Sequence, residues 1–195
     1  MSEDVETEMA VWMSEAETEL FVRFLSMSDD YFEFGMGGST VLAAGLVKRS
    51  IRSVDSDMAW MDRTRKAIGE ARPQVELIHV DIGPTRDWGH PAGRGHEARF
   101  PDYSRSIRRR DTRKVDFCLV DGRFRVACFL TALAWLDRDA ILAVHDYRSR
   151  PEYHVVERFA RPIAEAEDMT MFVRRAGVRR WAIDRMAARY RHNPA

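Results

Sequence analysis

The feature that most constrains this chain is residues 31–40, which read Tyr-Phe-Glu-Phe-Gly-Met-Gly-Gly-Ser-Thr. The apolar and aromatic residues before Gly35 predict a short buried strand. The glycines interrupt any regular pattern, and the apolar residues 41–48 then predict a helix. Glycine between a strand and a helix permits a tight turn and a close approach of the backbone to a ligand, and the first turn of the helix offers free N–H groups.

Two phosphate-binding motifs do not match this stretch. The dinucleotide fingerprint needs a third glycine where this chain has Thr40, and a P-loop needs a lysine, which is absent nearby. The residues instead read Glu-x-Gly-x-Gly-Gly-Ser-Thr, starting at Glu33. A bare glycine turn without a ligand remains the alternative for this motif taken alone.

Acidic residues follow each of the next predicted strands. The strands are predicted at 51–54, 75–80, 115–120 and 140–144, and the residues that follow them are Asp55, Asp81, Asp121-Gly122 and His145-Asp146. Helices predicted at 15–27, 58–71, 125–136, 150–159 and 178–190 alternate with the strands, and Ser14 with Glu17 forms a capping-box pattern at the start of the first helix. This alternation is typical of an α/β fold with a mainly parallel sheet, which binds ligands at the carboxyl ends of its strands.

Length and composition favour a single globular domain spanning residues 1–195, with residues 1–13 as a loose N-terminal segment. The chain is 45% hydrophobic and 32% charged, and its formal net charge is zero, which gives no overall attraction to nucleic acid or membrane. The two cysteines lie in apolar surroundings, and no long apolar run or signal-peptide pattern is present. A cytoplasmic location is therefore expected.

A long loop is predicted at residues 82–104, which contain several glycines and prolines. Trp88 and Tyr103 are costly to leave exposed, which favours a lid or substrate loop. His90 and His96 match no metal-ligand spacing and are expected to be surface histidines.

Taken together, these motifs resemble those of the class I methyltransferases that use S-adenosylmethionine (SAM), and in particular a small methyltransferase-like group. The resemblance covers residues 14 to about 175. It implies a Rossmann-like, doubly wound, mainly parallel sheet of seven strands in the order 3-2-1-4-5-7-6, with helices on both faces. It also implies a cofactor site formed by Glu33, Gly35, Gly37, Gly38, Ser39, Thr40, Asp55, Asp81, Ile82 and Trp88.

Within that resemblance, Asp55 would bind the ribose hydroxyls, for which an acceptor-only carboxylate is suited. Asp121, His145 and Asp146 are the candidate catalytic residues, as a general base or as part of the acceptor pocket. A divalent metal held by these three residues is the less favoured alternative, because Mg²⁺ prefers oxygen ligands to the imidazole of His145.

Three functions are consistent with the sequence. The first is SAM-dependent methyl transfer to a small-molecule or glycan-like acceptor. The second is RNA methylation, motivated by arginine runs at 108–113 and 174–180, although nucleic acid is not the favoured partner. The third is a non-catalytic SAM-binding module, because a fold does not fix a function. The sequence leaves a homo-oligomer open.

Overall fold

The central element of the fold is a seven-stranded sheet. The structure, a computed structural model, describes residues 9–71 and 73–195. The strands are β1 (Asp30–Phe34), β2 (Ser50–Asp55), β3 (Gln74–His79), β4 (Phe117–Val120), β5 (Ile141–Val144), β6 (Ala160–Ala166) and β7 (Met169–Arg174). Their order is β3-β2-β1-β4-β5-β7-β6, and β7 is antiparallel to both neighbours. The mainly parallel sheet and its strand order are confirmed.

Six α-helices are present in the described part of the chain. They are α1 (Glu15–Met27), α2 (Gly38–Leu46), α3 (Met58–Ile68), α4 (Phe100–Arg105), α5 (Arg125–Trp135) and α6 (Arg180–Tyr190). The predicted bounds of α1 are confirmed. Its capping box is also confirmed, because Ser14 accepts from the amide of Glu17 at 3.3 Å and the Glu17 carboxylate accepts from the amide of Ser14 at 2.8 Å.

Alternate side chains of β1 lie in two separate apolar clusters. Tyr31 packs with Phe21 of α1 and Ala43 of α2. Phe32 packs in a second cluster that includes Phe129 of α5. Since successive strand residues point to opposite faces of a sheet, β1 contributes to the core on both of its sides.

Three expected elements differ from those observed. The helix after the glycine stretch begins at Gly38 rather than at Val41. The predicted long loop includes α4, whose Tyr103 is buried, together with 3₁₀ turns at Asp87–Gly89 and Glu97–Arg99. The segment Pro151–Arg158, expected to be an ordinary helix, is a 3₁₀ run. The spacing of apolar residues does not distinguish a short 3₁₀ run from an α-helix, because the two spacings are similar over a few residues.

Residues 9–13 of the predicted loose segment lie against the rest of the fold, whereas residues 1–8 lie outside the described residues. Both cysteines are buried free thiols, as expected. Among the described residues, no helix is both long enough and apolar enough to cross a membrane.

Candidate functional site

The glycine stretch lies where the ends of β1 and β4 meet. Gly35 has φ 93°, in the left-handed region that favours glycine. A Cβ atom at Gly35 would lie 2.6 Å from the backbone nitrogen of Gly122, and one at Gly122 would lie 2.8 Å from the nitrogen of Gly35. The two predicted glycine turns therefore pack directly on each other, so each excludes a side chain at the other.

Glu33 is fully buried at the end of β1, beneath the glycine turn. Its Oε1 accepts a hydrogen bond from the Ser39 hydroxyl at 2.5 Å. Its Oε2 has no hydrogen-bond partner among the described residues. Burial raises the pKa of Glu33 to about 8, although the hydrogen bond from Ser39 opposes the shift. At neutral pH this carboxyl group therefore carries a proton, and its Oε2 is left without a hydrogen-bond partner among the described residues.

Asp55 is the last residue of β2 and accepts three backbone N–H groups. Its Oδ1 accepts from Ser56 at 2.7 Å and from Asp57 at 3.0 Å, and its Oδ2 accepts from Met36 at 3.2 Å. Burial raises the pKa of Asp55 to about 6, against these three hydrogen bonds. A carboxylate has about four lone-pair sites, so Oδ2 keeps capacity for one further donor.

The glycine turn is covered by two elements that the sequence did not assign to the site. The indole nitrogen of Trp60, on α3, donates to the Met36 carbonyl at 2.5 Å. The backbone of Ala10 lies against Gly38, where an added Cβ atom would be 2.3 Å from the Ala10 carbonyl oxygen. The first turn of α2 is thus partly enclosed, and Thr40 already accepts from the amide of Gly37 at 2.9 Å.

The three candidate cofactor-binding residues after β3 differ in their exposure to solvent. Asp81 is exposed and accepts from the Gly83 amide at 2.8 Å and from Arg99 at 2.5 Å. Ile82 is buried in the larger apolar cluster. Trp88 is 71% exposed and meets Trp12 edge to face, with 5.8 Å between ring centroids. The ring of Trp88 therefore lies on the surface of the loop, although its exposure is costly.

Asp121, His145 and Asp146 come together at the carboxyl ends of β4 and β5. The Nδ1 atom of His145 lies 3.0 Å from Oδ1 of Asp121 and 3.7 Å from Oδ1 of Asp146. The neighbouring strands β4 and β5 pair in parallel, which brings these residues to one edge of the sheet.

Two buried residues that the sequence analysis missed complete this cluster. Arg125, at the start of α5, lies 3.1 Å from Oδ1 of Asp121 and 3.0 Å from Oδ2 of Asp146. Glu17 of α1 lies 3.5 Å from Nε2 of His145. Arg125 follows Asp121 by four residues, but the helical i,i+4 rule does not cover this pair because α5 begins only at Arg125. Glu17 was recognised only as a capping residue.

The charges of the cluster determine the protonation states of His145 and Asp121. Burial of the His145 ring opposes its charged form, but the hydrogen bond to Asp121 and the charges of Asp121, Asp146 and Glu17 outweigh burial and raise its pKa to about 9. Burial likewise opposes ionisation of Asp121, yet His145 and Arg125 hold its pKa below the usual range. At neutral pH the histidine is therefore a cation, paired with carboxylates.

These residues do not fit a divalent metal. One ligand atom from each of Asp121, His145 and Asp146 lies within 4.8 Å of the others. However, the guanidinium of Arg125 already contacts both carboxylates, and the His145 ring is protonated rather than a free nitrogen ligand. A metal would have to displace one cation and deprotonate the other.

His90 anchors the long loop at the same edge. Its Nε2 lies 2.6 Å from a guanidinium nitrogen of Arg123, a buried residue directly after Gly122. Burial and the charge of Arg123 lower the pKa of His90, so the ring is neutral and accepts the hydrogen bond. The loop thus docks on the strand ends through an arginine that sequence inspection did not single out.

The architecture is shared with proteins of known structure. A methyltransferase-like protein from Silicibacter pomeroyi is 31% identical, with 96% of this chain and 99% of that chain covered and a TM-score of 0.86. The chain therefore belongs to the class I SAM-dependent methyltransferase fold family.

Two more distant structures share the fold alone. An RNA methyltransferase from Salinibacter ruber, solved with S-adenosyl-L-homocysteine, is 14% identical over 87% of this chain and 97% of its own, with a TM-score of 0.52. Precorrin 8w decarboxylase from Methanobacterium thermoautotrophicum is 17% identical over 86% of this chain and 88% of its own, with a TM-score of 0.51. No protein-family model and no functionally curated protein matches the sequence.

Proposed function

We propose that this protein transfers a methyl group from SAM to a small-molecule or glycan-like acceptor. The observation that carries the proposal is the buried Glu33 carboxyl, with its unused Oε2, beneath a glycine turn of a methyltransferase-type sheet. On losing its proton, Oε2 would accept a hydrogen bond from an ammonium group, and SAM has such a group on its amino-acid end. The doubly wound arrangement, with helices on both faces, belongs to the same proposal and is supported by the two apolar clusters.

The residues around the glycine turn fit this cofactor. Glu33 and Ser39 would hold its amino-acid end, and Gly35, Gly37 and Gly38 would leave backbone room beside it. Asp55 would take a ribose hydroxyl with the acceptor capacity left on Oδ2. In the placement typical of the family, Asp81, Ile82 and Trp88 would lie beside the adenine ring. Asp81 and Trp88 would contact the ring from the exposed loop.

The strand-end cluster would serve the acceptor side of the site. When bound, SAM supplies an electrophilic methyl group, and alignment of the acceptor with it provides much of the rate. A protonated His145 is a hydrogen-bond donor rather than a base, and Asp121 is a weak base because its pKa is low. We therefore assign Asp121, His145 and Asp146 to holding and orienting the acceptor.

RNA methylation is less well supported by the arginine run at 108–113. Arg108 forms an ion pair with Asp184, and Arg109 lies 2.5 Å from Glu76. Arg113 lies over the ring of Trp135, with 5.2 Å from its guanidinium carbon to the ring centroid. Because Arg108 and Arg109 are paired with carboxylates, the run offers less free positive charge for a phosphate backbone.

Calorimetric titration with S-adenosylhomocysteine, followed by methyl transfer assays on a panel of small-molecule and glycan acceptors, tests the proposal. We expect saturable binding, and transfer that Asp121→Asn lowers more than it lowers cofactor affinity. Misplacement of a reactant by about 1 Å can cost about 10²-fold in rate, which is the scale expected for losing an orienting group. Asp102→Asn, in an exposed carboxylate of α4, is the matched control.

The outcomes separate the alternatives. Binding without transfer to any acceptor would favour the non-catalytic module. Transfer to RNA but not to small acceptors would favour the RNA methyltransferase. No cofactor binding, or tight binding of NAD instead, would reject the cofactor assignment.

A further inference from the structure

A groove lies between α6 and the end of the 3₁₀ run, on residues that the proposed methyl transfer does not use. It has a volume of about 250 Å³ and is lined by Arg158, Phe159, Trp181, Arg185, Met186 and Arg189. Trp181, Arg185 and Arg189 are spaced four residues apart on α6, so they share one helix face. The groove therefore lies between this face of α6 and the residues just before β6.

The walls of the groove are cationic. Within the described residues, the side chains of Arg158, Arg185 and Arg189 form no ion pair or hydrogen bond, although the guanidinium of Arg158 lies 5.8 Å from the centroid of the Phe159 ring. The acidic residue of α6, Asp184, is paired with Arg108. Three exposed guanidinium groups thus converge on one groove without a carboxylate among its lining residues.

The floor of the groove is apolar and aromatic. Phe159 and Met186 are 7% and 9% exposed, whereas Trp181 is 65% exposed. An exposed indole is costly to hydrate and offers a flat face for stacking, which every nucleobase can use. Guanidinium groups bind phosphate oxygens in bidentate geometry and stack on flat rings.

We propose that this groove binds a phosphate ester that carries a flat aromatic ring, of the size of a single nucleoside monophosphate. The arginines would take the phosphate, and Trp181 would stack on the ring. The volume of about 250 Å³ lies below the range of about 300–1,000 Å³ for pockets of drug-sized ligands, so the groove holds at most one nucleotide, part of which stays in solvent. This inference does not depend on the proposed methyl transfer.

The site lies away from the cofactor edge. Arg158 precedes β6, whose first residue Ala160 pairs with Arg174 at the end of β7. Because β7 runs antiparallel to β5, its end is at the edge opposite the carboxyl ends of the parallel strands. Saturation with S-adenosylhomocysteine should therefore leave binding in the groove unchanged.

Titration of the full chain with AMP, adenosine, inorganic phosphate and a single-stranded oligonucleotide, each with S-adenosylhomocysteine present, tests the proposal. We expect AMP to bind at least about tenfold more tightly than adenosine or phosphate, with affinity falling as salt rises. Arg185→Gln and Trp181→Ala should each weaken AMP binding by about tenfold or more, the scale of a charge-assisted or stacking contact.

Arg63→Gln, in an exposed arginine of α3, is the matched control and should bind AMP as the wild type does. Thermal melting of each variant shows whether it is folded; both substituted side chains are exposed, so unchanged melting is expected. Equal binding of adenosine and AMP, AMP affinity unaffected by both groove variants, or an oligonucleotide bound far more tightly than AMP would each overturn the proposal.

Discussion

The imidazole of His145 donates from Nδ1 to Oδ1 of Asp121 across a distance of 3.0 Å. This contact joins the residue after β5 to the residue after β4, at the edge where the glycine turn also lies. Arg125 contacts the same carboxylate at 3.1 Å, so Asp121 is held between two cations. The cluster is therefore charged and internally paired, which determines how it responds to pH.

The first prediction concerns the protonation of His145. Its pKa is raised to about 9 from an ordinary value of 6.5, so its charged form contributes stability that is fully present below pH 6.5 and is lost as pH rises through 9. NMR titration of the imidazole C–H signals, assigned with His145→Gln, should show one histidine titrating near pH 9. In thermal melts, the stability advantage of the wild type over His145→Gln should shrink between pH 6.5 and 9.5. A His145 signal that titrates near 6.5 would contradict this.

The second prediction concerns Glu33. Its pKa is raised to about 8 from 4.5, so the folded protein holds a proton there that the unfolded chain releases, and the resulting stability falls as pH rises from 4.5 through 8. Glu33→Gln should therefore gain stability relative to the wild type above pH 8, because the wild type must then bury a charge. Chemical denaturation at pH 6 and pH 9 measures the difference.

Cofactor binding provides a second test of the protonation of Glu33. An ammonium group beside Oε2 favours the Glu33 carboxylate, so binding of S-adenosylhomocysteine near pH 7 should release a proton. Calorimetry in buffers of different ionisation enthalpy detects this release, and Glu33→Gln should abolish it. Binding enthalpies that do not change with buffer in the wild type would argue against contact between Glu33 and the ammonium group.

The third prediction concerns Asp55. Asp55→Asn retains the size of the side chain but removes the charge that the ribose hydroxyls would meet. We expect cofactor affinity to fall by about 1–3 kcal/mol, the scale of charge-assisted hydrogen bonds. Asp62→Asn, an exposed carboxylate of α3, should bind as the wild type does. An unchanged affinity in folded Asp55→Asn would reject the assignment.

The fourth prediction concerns the loop before α4. Trp88 adopts φ 61° and its ring rests on Trp12, which is 69% exposed, so this contact is lightly packed and open to rearrangement. Hydrogen exchange in residues 84–99 should slow when cofactor and acceptor bind, whereas the buried helix α4 should show little change. Identical exchange of residues 84–99 with and without ligands would contradict a lid.

Local pattern predicted the parts of the fold that local forces specify. The Ser14 and Glu17 capping box predicted the start of α1, and the short apolar runs predicted the parallel strands because buried strands need continuous apolar faces. The end of α3 was placed too late, at Ala71, since Gly69 adopts φ 58° and stops the helix.

The sequence by itself determined the order of strands and glycine turns and the acidic residues at the strand ends. The tertiary structure decided the partners of those residues. Glu17 meets His145, and its other oxygen accepts from the amide of Asp168 at 3.0 Å, a separation of 151 residues. Arg125 likewise lies between the carboxylates of Asp121 and Asp146, which come after two different strands. Charge pairing at a buried site depends on which distant side chains share a low-dielectric space, and that becomes defined only when the sheet brings its strand ends to one edge.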